Sequence, residues 1–414
     1  MKIRSLLPVA FAMLCMTPAM AQSKKVTPAS AGTLATLLTD DEKTSVTELV
    51  VSGPVNKTDF IFINTLTALE TLDIKDAKVA EETLEGITHP ADVLPKEALY
   101  KNETIKKLVL PASITSVAEN AVDYTSAADI DFSPCVNLKT IQREAFQSNN
   151  FLEAINLSGL KSLESIGVSA FNTCSQKAGV TEVTIDLSGC SALKEIEESA
   201  FANNKASALM INLSGCASLT TIGDQAFLNG KETSVDLTGC SALETIGKRV
   251  FSISTRSLAK ITDVKLPASL KTITTEAFRN QAKIANVSIL AVTPPTLGAT
   301  AFYPTDDAYD AILTVPAGSK NAYETNDEWK KFKTIVEAES SSVNEFEAAE
   351  TSIYAANGII FVKNGVEGSV VNVYNVSGTL VATGTVAGGE AAIQISTKGI
   401  CIVQTVYKTS KVSL

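Results

Sequence analysis

The sequence predicts an α/β-type repeat solenoid with a parallel β-sheet on one face, followed by a small all-β sandwich. Phenylalanines recur at intervals of 24 to 30 residues, and a short aliphatic phrase of the type Ile-x-Leu precedes each of them. A fixed period of this length is typical of stacked supersecondary units. Residues 351–414 alternate valine with polar residues and glycine, which indicates the sandwich. The recurring phenylalanines are Phe146, Phe171, Phe201, Phe227, Phe251, Phe278 and Phe302.

One repeat shows how each coil is expected to fold. Ile185 and Leu187 flank Asp186, and in a strand these two aliphatic side chains face one way while the carboxylate faces the other. The glycine that follows permits a tight turn, a Leu-x-x-Ile phrase returns the chain to the same interior, and Ala200-Phe201 closes the coil. A single coil cannot bury its apolar edge, so parallel stacking must supply the cover.

The chain is expected to be exported. Lys2 and Arg4 precede an apolar run, and Ala19-Met20-Ala21 fits a cleavage site. A lipid anchor on Cys15 is disfavoured because the large Leu14 precedes it. No later stretch has the ~20 apolar residues of a transmembrane segment. The predicted divisions are a signal peptide at 1–21, an N-terminal cap region at 22–59, repeats at 60–292, a C-terminal cap at 293–338, a linker at 339–350 and a β-sandwich sorting or attachment module at 351–414. Within the C-terminal cap, the polar stretch at 320–333 is expected to be helical.

Composition excludes several functions. A net charge of −10 and a pI near 4.9 argue against nucleic acid as a partner. His89 is the only histidine, and it is expected in a loop because no serine or cysteine motif surrounds it. No C-x-x-C pair indicates zinc, so neither a metal nor another cofactor is predicted. The protein is therefore expected not to be an enzyme.

Four cysteines occupy equivalent places in the repeats, which could indicate disulfides or a metal ladder. Neighbouring parallel strands lie about 4.8 Å apart, wider than the ~3.8 Å Cβ separation that a disulfide prefers. Buried free thiols on the inside of the turn are the favoured interpretation. These cysteines are Cys135, Cys190, Cys216 and Cys240.

The residue between the two strand aliphatics defines a candidate site, which we call the polar ladder. A column of aspartates and asparagines is expected on the exposed strand face, with small hydroxyl residues beside it. The structural interpretation is a set of side-chain hydrogen bonds between coils. The functional one is a binding strip for a basic partner or a cation, with calcium only weakly indicated. The polar ladder comprises Asp131, Asn156, Asp186, Asn212 and Asp236, with Ser158, Ser188, Ser214 and Thr238.

These repeats resemble the leucine-rich repeats of bacterial BspA-like surface proteins. The resemblance rests on the recurring Leu-x-x-Ile-Gly-x-x-Ala-Phe, on the phrase Pro267-Ala268-Ser269-Leu270, and on Pro294-Pro295 followed by Val315-Pro316-Ala317-Gly318. It covers roughly 60–338, and the Ser-Gly-Cys coils depart from it. The resemblance implies a cell-surface or secreted protein that binds host proteins, other bacteria or extracellular matrix without catalysis.

The C-terminal segment is similar to the sorting modules of type IX secretion substrates. Val370 to Gly378, Gly399 to Val403 and Lys411-Val412 carry this similarity. It implies recognition during export and attachment at the surface or outer membrane.

Three function hypotheses follow. The first is adhesion, in which the exposed sheet of the solenoid binds host or bacterial surface proteins, extracellular matrix or a glycan. The second is a structural scaffold component of the bacterial cell envelope. The third, an enzyme with an unrecognised site acting on a glycan, would need carboxylates about 5 to 10 Å apart in a cleft, and the sequence reveals none.

Overall fold

The computed structural model describes two compact units, Met1–Ala338 and Glu339–Leu414, which we treat separately. The described residues are 22–176, 182–204, 208–302, 309–338, 352–356, 358–365, 367–375, 379–395, 399–405 and 409–413.

The first unit is a stack of coils, and one strand from each coil joins a parallel first sheet. This sheet has sections of five, three and five strands. Equivalent residues pair in register, as Asn156 does with Asp186 and Asp186 with Asn212. The predicted repeat solenoid is therefore confirmed. The strands are Ser23–Val26, Glu48–Val51, Thr71–Asp73, Lys107–Val109 and Asp129–Asp131, then Ala154–Asn156, Glu182–Asp186 and Ala208–Asn212, and then Ser234–Asp236, Asp263–Leu266, Asn286–Ile289, Tyr309–Val315 and Phe332–Glu337.

A second parallel sheet lies where the Leu-x-x-Ile phrase returns the chain. It consists of nine two-residue strands in one continuous ladder. Because this phrase recurs at the same place in each coil, its backbone lies next to that of the preceding coil. The Gly223 amide, for example, donates to the Ile196 carbonyl at 2.7 Å. The strands are Val93–Leu94, Ser116–Val117, Thr140–Ile141, Ser165–Ile166, Glu195–Ile196, Thr221–Ile222, Thr245–Ile246, Thr272–Ile273 and Thr296–Leu297.

Helices are short and lie mainly near the ends of the stack. Capping boxes begin two of them, Thr39 with Glu42 and Asn56 with Asp59. Among the described residues, no helix is both long and apolar enough to cross a bilayer. The helices are Asp40–Ser45, Lys57–Ile63 and Lys320–Glu324, and the 3₁₀ turns are Leu34–Leu37, Arg256–Leu258 and Trp329–Lys331.

Two local expectations are wrong. His89 does not lie in a loop: it ends the strand Ile87–His89, which pairs antiparallel with Glu82–Leu84, and it is only 9% exposed. A polar helix expected over 320–333 is limited to its first five residues, because Phe332 already belongs to a strand of the first sheet. A further parallel pair joins Gly53–Val55 to Ala77–Val79.

An unbroken column of phenylalanine rings fills the middle of the solenoid. From Phe146 to Phe302 the successive ring centroids lie 4.9 to 5.5 Å apart. This distance is close to the spacing of parallel strands, so each ring packs on the same ring of the next coil. The column ends on edge-on or tilted contacts, with Phe132 at one end and Tyr309, Trp329 and Phe332 at the other.

The cysteines of the repeats lie in the core as buried free thiols. Each sulfur contacts a carbonyl oxygen of the preceding coil, as Cys190 Sγ does with Leu157 O at 3.1 Å and Cys216 Sγ with Leu187 O at 3.2 Å. Burial raises the pKa of Cys190 to about 11 and that of Cys216 to about 12. A thiol therefore serves here as a small apolar group with a weak donor.

The second unit is an all-β module of two antiparallel sheets, as predicted. Its own core contains Ile360, Val362, Val371, Val373 and Val403, all fully buried. One sheet has the order Ser352–Ala356, Ile359–Lys363, Glu390–Gln394, and the other Leu380–Thr385, Val370–Asn375, Ile400–Gln404, Thr409–Ser413.

Candidate functional site

The polar ladder lies on the outward face of the first sheet. Asn156, Asn212 and Asp236 are exposed at the ends of their strands, and Asp131 and Asp186 are half-buried. Of the hydroxyl residues beside them, Ser188 is half-buried and the others are exposed, namely Ser158, Ser214 and Thr238.

The hydrogen bonds that ladder residues make with one another run within each coil, which corrects the expectation of such bonds between coils. Asn212 Oδ1 accepts the amide of Ser214 at 3.1 Å and its hydroxyl at 2.7 Å. Asp186 Oδ1 accepts the amide of Ser188 at 2.9 Å. A short side chain that accepts from the residue two positions later forms an Asx turn, so one oxygen of each ladder residue fixes the turn. The second oxygen or the amide nitrogen remains at the surface.

One ladder residue also has a partner in the next coil. Lys265 Nζ lies 3.0 Å from Asp236 Oδ2. Burial raises the pKa of the Asp236 carboxyl, but the hydrogen bonds from Thr238 and the charge of Lys265 outweigh it and lower this pKa below its usual value. The carboxylate is therefore charged at neutral pH. Among the described residues, no group of three His, Cys, Asp or Glu side chains is arranged to hold a metal ion.

The structure brings only part of the ladder into one continuous row. Asn156, Asp186 and Asn212 belong to the middle section of the sheet, whereas Asp131 and Asp236 end strands of the two flanking sections. Within sections, the residue after the strand donates its amide to the next coil, as Leu157 N does to Asp186 O at 2.8 Å. At the first break the equivalent amide, that of Phe132, makes no hydrogen bond in the described part of the chain.

A proline lies at the first break. In a regular coil the turn glycine donates to the next coil, as Gly159 N does to Ser188 O at 2.7 Å. Pro134 stands in that position and has no N–H to donate to the coil that follows. The neighbouring Phe132 also replaces the usual leucine, and its ring packs edge-on against Phe146 with centroids 5.1 Å apart. Both departures from the repeat coincide with the first break, whereas the coil at the second break has the regular Leu213 and Gly215.

An open cleft of about 200 Å³ lies at this break, and we call it the inter-strand cleft. Ile130 on its floor is 7% exposed, whereas Leu108 and Ile155 at the same position in adjacent coils are 0% and 1% exposed. Lys107 Nζ lies 3.4 Å from Asp129 Oδ2 at the rim. The lining residues are Lys107, Asp129, Ile130, Asp131, Phe132, Ser133, Asn156, Ser158 and Leu160.

Of the residues that line this cleft, Asp131, Asn156 and Ser158 were predicted from the sequence as site residues, whereas Lys107 and Asp129 were not. A signal was present in the phrase from Asp131 to Cys135, which has proline where the following repeats have glycine. That departure coincides with the first of the two breaks in the sheet.

Stacked coils with Leu-rich strands, a buried phenylalanine column and an exposed parallel sheet define the class of leucine-rich repeat solenoid proteins. The model for the BspA type leucine rich repeat region matches six copies at residues 73–207 and 179–308, which together span more than half of the 414 residues. The chain belongs to this family.

Two solved structures match most of the chain at low sequence identity. A leucine-rich repeat protein from Bacteroides ovatus ATCC 8483 is 18% identical, with 70% of this chain and 84% of that chain covered and a TM-score of 0.19. A leucine rich cell surface protein from Faecalibacterium prausnitzii A2-165 is 14% identical, with 72% and 75% covered and a TM-score of 0.25. No curated protein matches the chain.

Proposed function

We propose that this protein is exported and binds other proteins, at the cell surface or in secreted form and without catalysis, through the outward face of its first sheet. One observation carries the proposal: the short polar side chains of the middle section follow one another in register on an exposed sheet. Short side chains leave the backbone accessible, and the Asx turns hold the polar groups in fixed positions. The polar ladder would be the binding strip.

Export and attachment would use the two ends of the chain. Residues 1–21 would be the signal peptide, and 351–414 would be a sorting module of the type IX secretion kind. The support for the module is its composition of small antiparallel sheets with a separate core. In this division, residues 22–59 and 293–338 would cap the repeats at 60–292, and 339–350 would be a linker.

The proposed partners are host or bacterial surface proteins, extracellular matrix proteins and, as a further class, glycans. A scaffold role in the cell envelope is the alternative, and it predicts binding to envelope proteins alone. The binding experiment described next distinguishes the adhesion role from the scaffold role.

A binding experiment with the full chain tests the proposal. The double variant Thr184→Lys/Met210→Lys places two long cations at outward positions of the middle section. It leaves the Asx turns intact, since neither residue takes part in them. The matched control is Glu195→Lys/Thr221→Lys, which changes the second sheet of the same two coils.

We expect immobilised matrix proteins or a glycan array to retain the native chain and the control but to lose the Thr184→Lys/Met210→Lys variant. Equal retention of both variants would place binding elsewhere on the molecule. Retention by envelope proteins only would replace adhesion with the scaffold role.

A further inference from the structure

We infer that the inter-strand cleft receives a cationic side chain, an arginine or a lysine, from a protein partner. The inference rests on the proposed function and adds the chemistry of the partner to it. Four observations carry it, namely the opening of the sheet, the charges at the rim, the apolar floor and the unused hydrogen-bond donors.

The inter-strand cleft lies where the sequence departs from the repeat. At the coil that has Phe132 and Pro134 in place of leucine and glycine, two strands lie unpaired that are hydrogen bonded at the equivalent place in the next coil. The resulting space of about 200 Å³ accommodates one long side chain but no folded element. It therefore fits a single residue that projects from a partner surface.

The rim of the cleft attracts a cation. Asp129 and Asp131 contribute two carboxylates, and Asp131 uses only Oδ1 for its Asx turn, in which it accepts the amide of Ser133 at 2.8 Å. Lys107 of this chain already approaches Asp129 at 3.4 Å, with both side chains more than half exposed. An ammonium can thus reach the rim, and one carboxylate charge is left for an incoming guanidinium or ammonium.

The floor and the free donors complete the fit. Ile130 and Leu160 offer apolar surface to the methylene stem that joins a cationic head to its backbone. The amide of Phe132 and Nδ2 of Asn156 donate no hydrogen bond within the described part of the chain. Both can donate to the main-chain carbonyl next to the inserted side chain, which favours a peptide group over a free amine.

The probe is Nα-acetyl-L-arginine amide, and its matched control is Nα-acetyl-L-citrulline amide, which has nearly the same shape without the charge. The full chain is labelled with ¹⁵N-phenylalanine, and the Phe132 signal is assigned from its loss in Phe132→Leu. We expect the arginine amide to shift this signal saturably. The citrulline amide should bind at least about fivefold more weakly, and salt should weaken the arginine interaction.

Three variants separate charge from shape. Asp131→Asn keeps the Asx turn, as Asn156 does at the same position, and should raise the Kd for the arginine amide at least about fivefold. Asp327→Asn, the same change at an exposed carboxylate outside both the cleft and the polar ladder, should leave this Kd unaltered. Pro134→Gly restores the missing N–H and should close the cleft, so that the Phe132 signal no longer responds although both carboxylates remain.

The inference is overturned if the arginine amide produces no saturable shift, if citrulline binds equally well, or if Asp131→Asn has no effect. A shift produced by methyl pyranosides instead would assign the cleft to carbohydrate. If the arginine probe fails while Thr184→Lys/Met210→Lys still abolishes binding to matrix proteins, the proposed function stands and only the cationic partner is refuted. Failure of both experiments refutes both.

Discussion

The rings of Phe171 and Phe201 lie parallel to within 1°, with their centroids 5.3 Å apart. Their neighbours Phe146 and Phe227 continue the same stack on either side. The column thus links coils that are separated in sequence and makes the core of the solenoid one continuous body. The contribution of this column to the stability of the solenoid can be measured by removing one ring.

We expect Phe201→Ala to destabilise the solenoid by about 3 to 5 kcal/mol, because a fully buried ring leaves a cavity and two stacked contacts are lost. Chemical denaturation followed by circular dichroism measures the shift of the midpoint. Tyr124→Ala, at a site where the side chain is 54% exposed, is the control and should change the midpoint little. Equal shifts for the two variants would show that the ring column carries no special stability.

Substitution by alanine should lower the free energy of unfolding at one glycine of a coil and leave it nearly unchanged at another. A Cβ on Gly247 would lie 2.7 Å from the backbone of Asp224, whereas the nearest atom to a Cβ on Gly239 is 3.4 Å away. Gly247→Ala should therefore cost at least about 2 kcal/mol of unfolding free energy, and Gly239→Ala should stay within about 0.5 kcal/mol of the native chain. Thermal and urea unfolding of the two variants measures the difference. A small effect at Gly247 would mean that the coils can move apart there without cost.

The free energy of unfolding should decrease as the pH rises from about 4.5 to about 8, because the Glu232 carboxyl titrates in this interval. This carboxyl is buried, no other residue in the described part of the chain hydrogen-bonds it, and burial raises its pKa to about 8. The folded state therefore holds a proton that the unfolded state releases near pH 4.5, so the free energy of unfolding decreases between these two values and levels off above pH 8. Gly230 leaves the space that Glu232 fills, since a Cβ there would collide with the carboxylate.

Glu232→Gln removes the titrating group and should abolish most of this pH dependence. At pH 9 we expect the variant to be more stable than the native chain by on the order of 1–3 kcal/mol, with little difference at pH 4. Urea unfolding over this pH range is the measurement. A native chain whose stability stays constant from pH 5 to pH 8 would contradict the buried, protonated carboxyl.

The cysteines of the repeats should resist thiol reagents while the chain is folded. Cys135, Cys216 and Cys240 are fully buried, and burial raises the pKa of each to about 12. At pH 8 little thiolate exists, so alkylation should require unfolding and should become fast only in denaturant. Mass spectrometry after iodoacetamide treatment measures the extent of reaction. The variant Ser158→Cys, which adds an exposed thiol, should react at once, and equally fast reaction of native cysteines would contradict their burial.

The sequence was sufficient for the repeat architecture because its signals are local. The alternation at Ile185, Asp186 and Leu187 placed the strand and its two faces, and the recurrence of Phe201 and Phe227 placed the coil boundaries. Periodicity of this kind is set by local backbone geometry, so it can be interpreted from one segment alone, before the adjacent coils are known. The second sheet was harder, because its two-residue strands exist only through hydrogen bonds such as that from Gly223 N to Ile196 O.

The candidate site was predicted in its positions but not in its bonding. The alternation showed that Asn156 and Asn212 face solvent, yet the turn conformation that lets Ser158 and Ser214 donate to them is not a periodic property. The break beside Pro134 lies between two coils, and there Pro134 has no N–H to donate to the coil that follows. His89 was misplaced for the same reason, since its strand forms by pairing with Glu82–Leu84.

By itself, the sequence determined the period of the coils, the inward and outward positions of each strand and the residues that line the exposed face. Only the tertiary structure decided where the sheet is continuous, where it opens, and which polar atoms remain free. The physical reason is that side-chain direction follows from local backbone geometry. A hydrogen bond between coils, by contrast, depends on the distance between two segments that are about 25 residues apart in the chain.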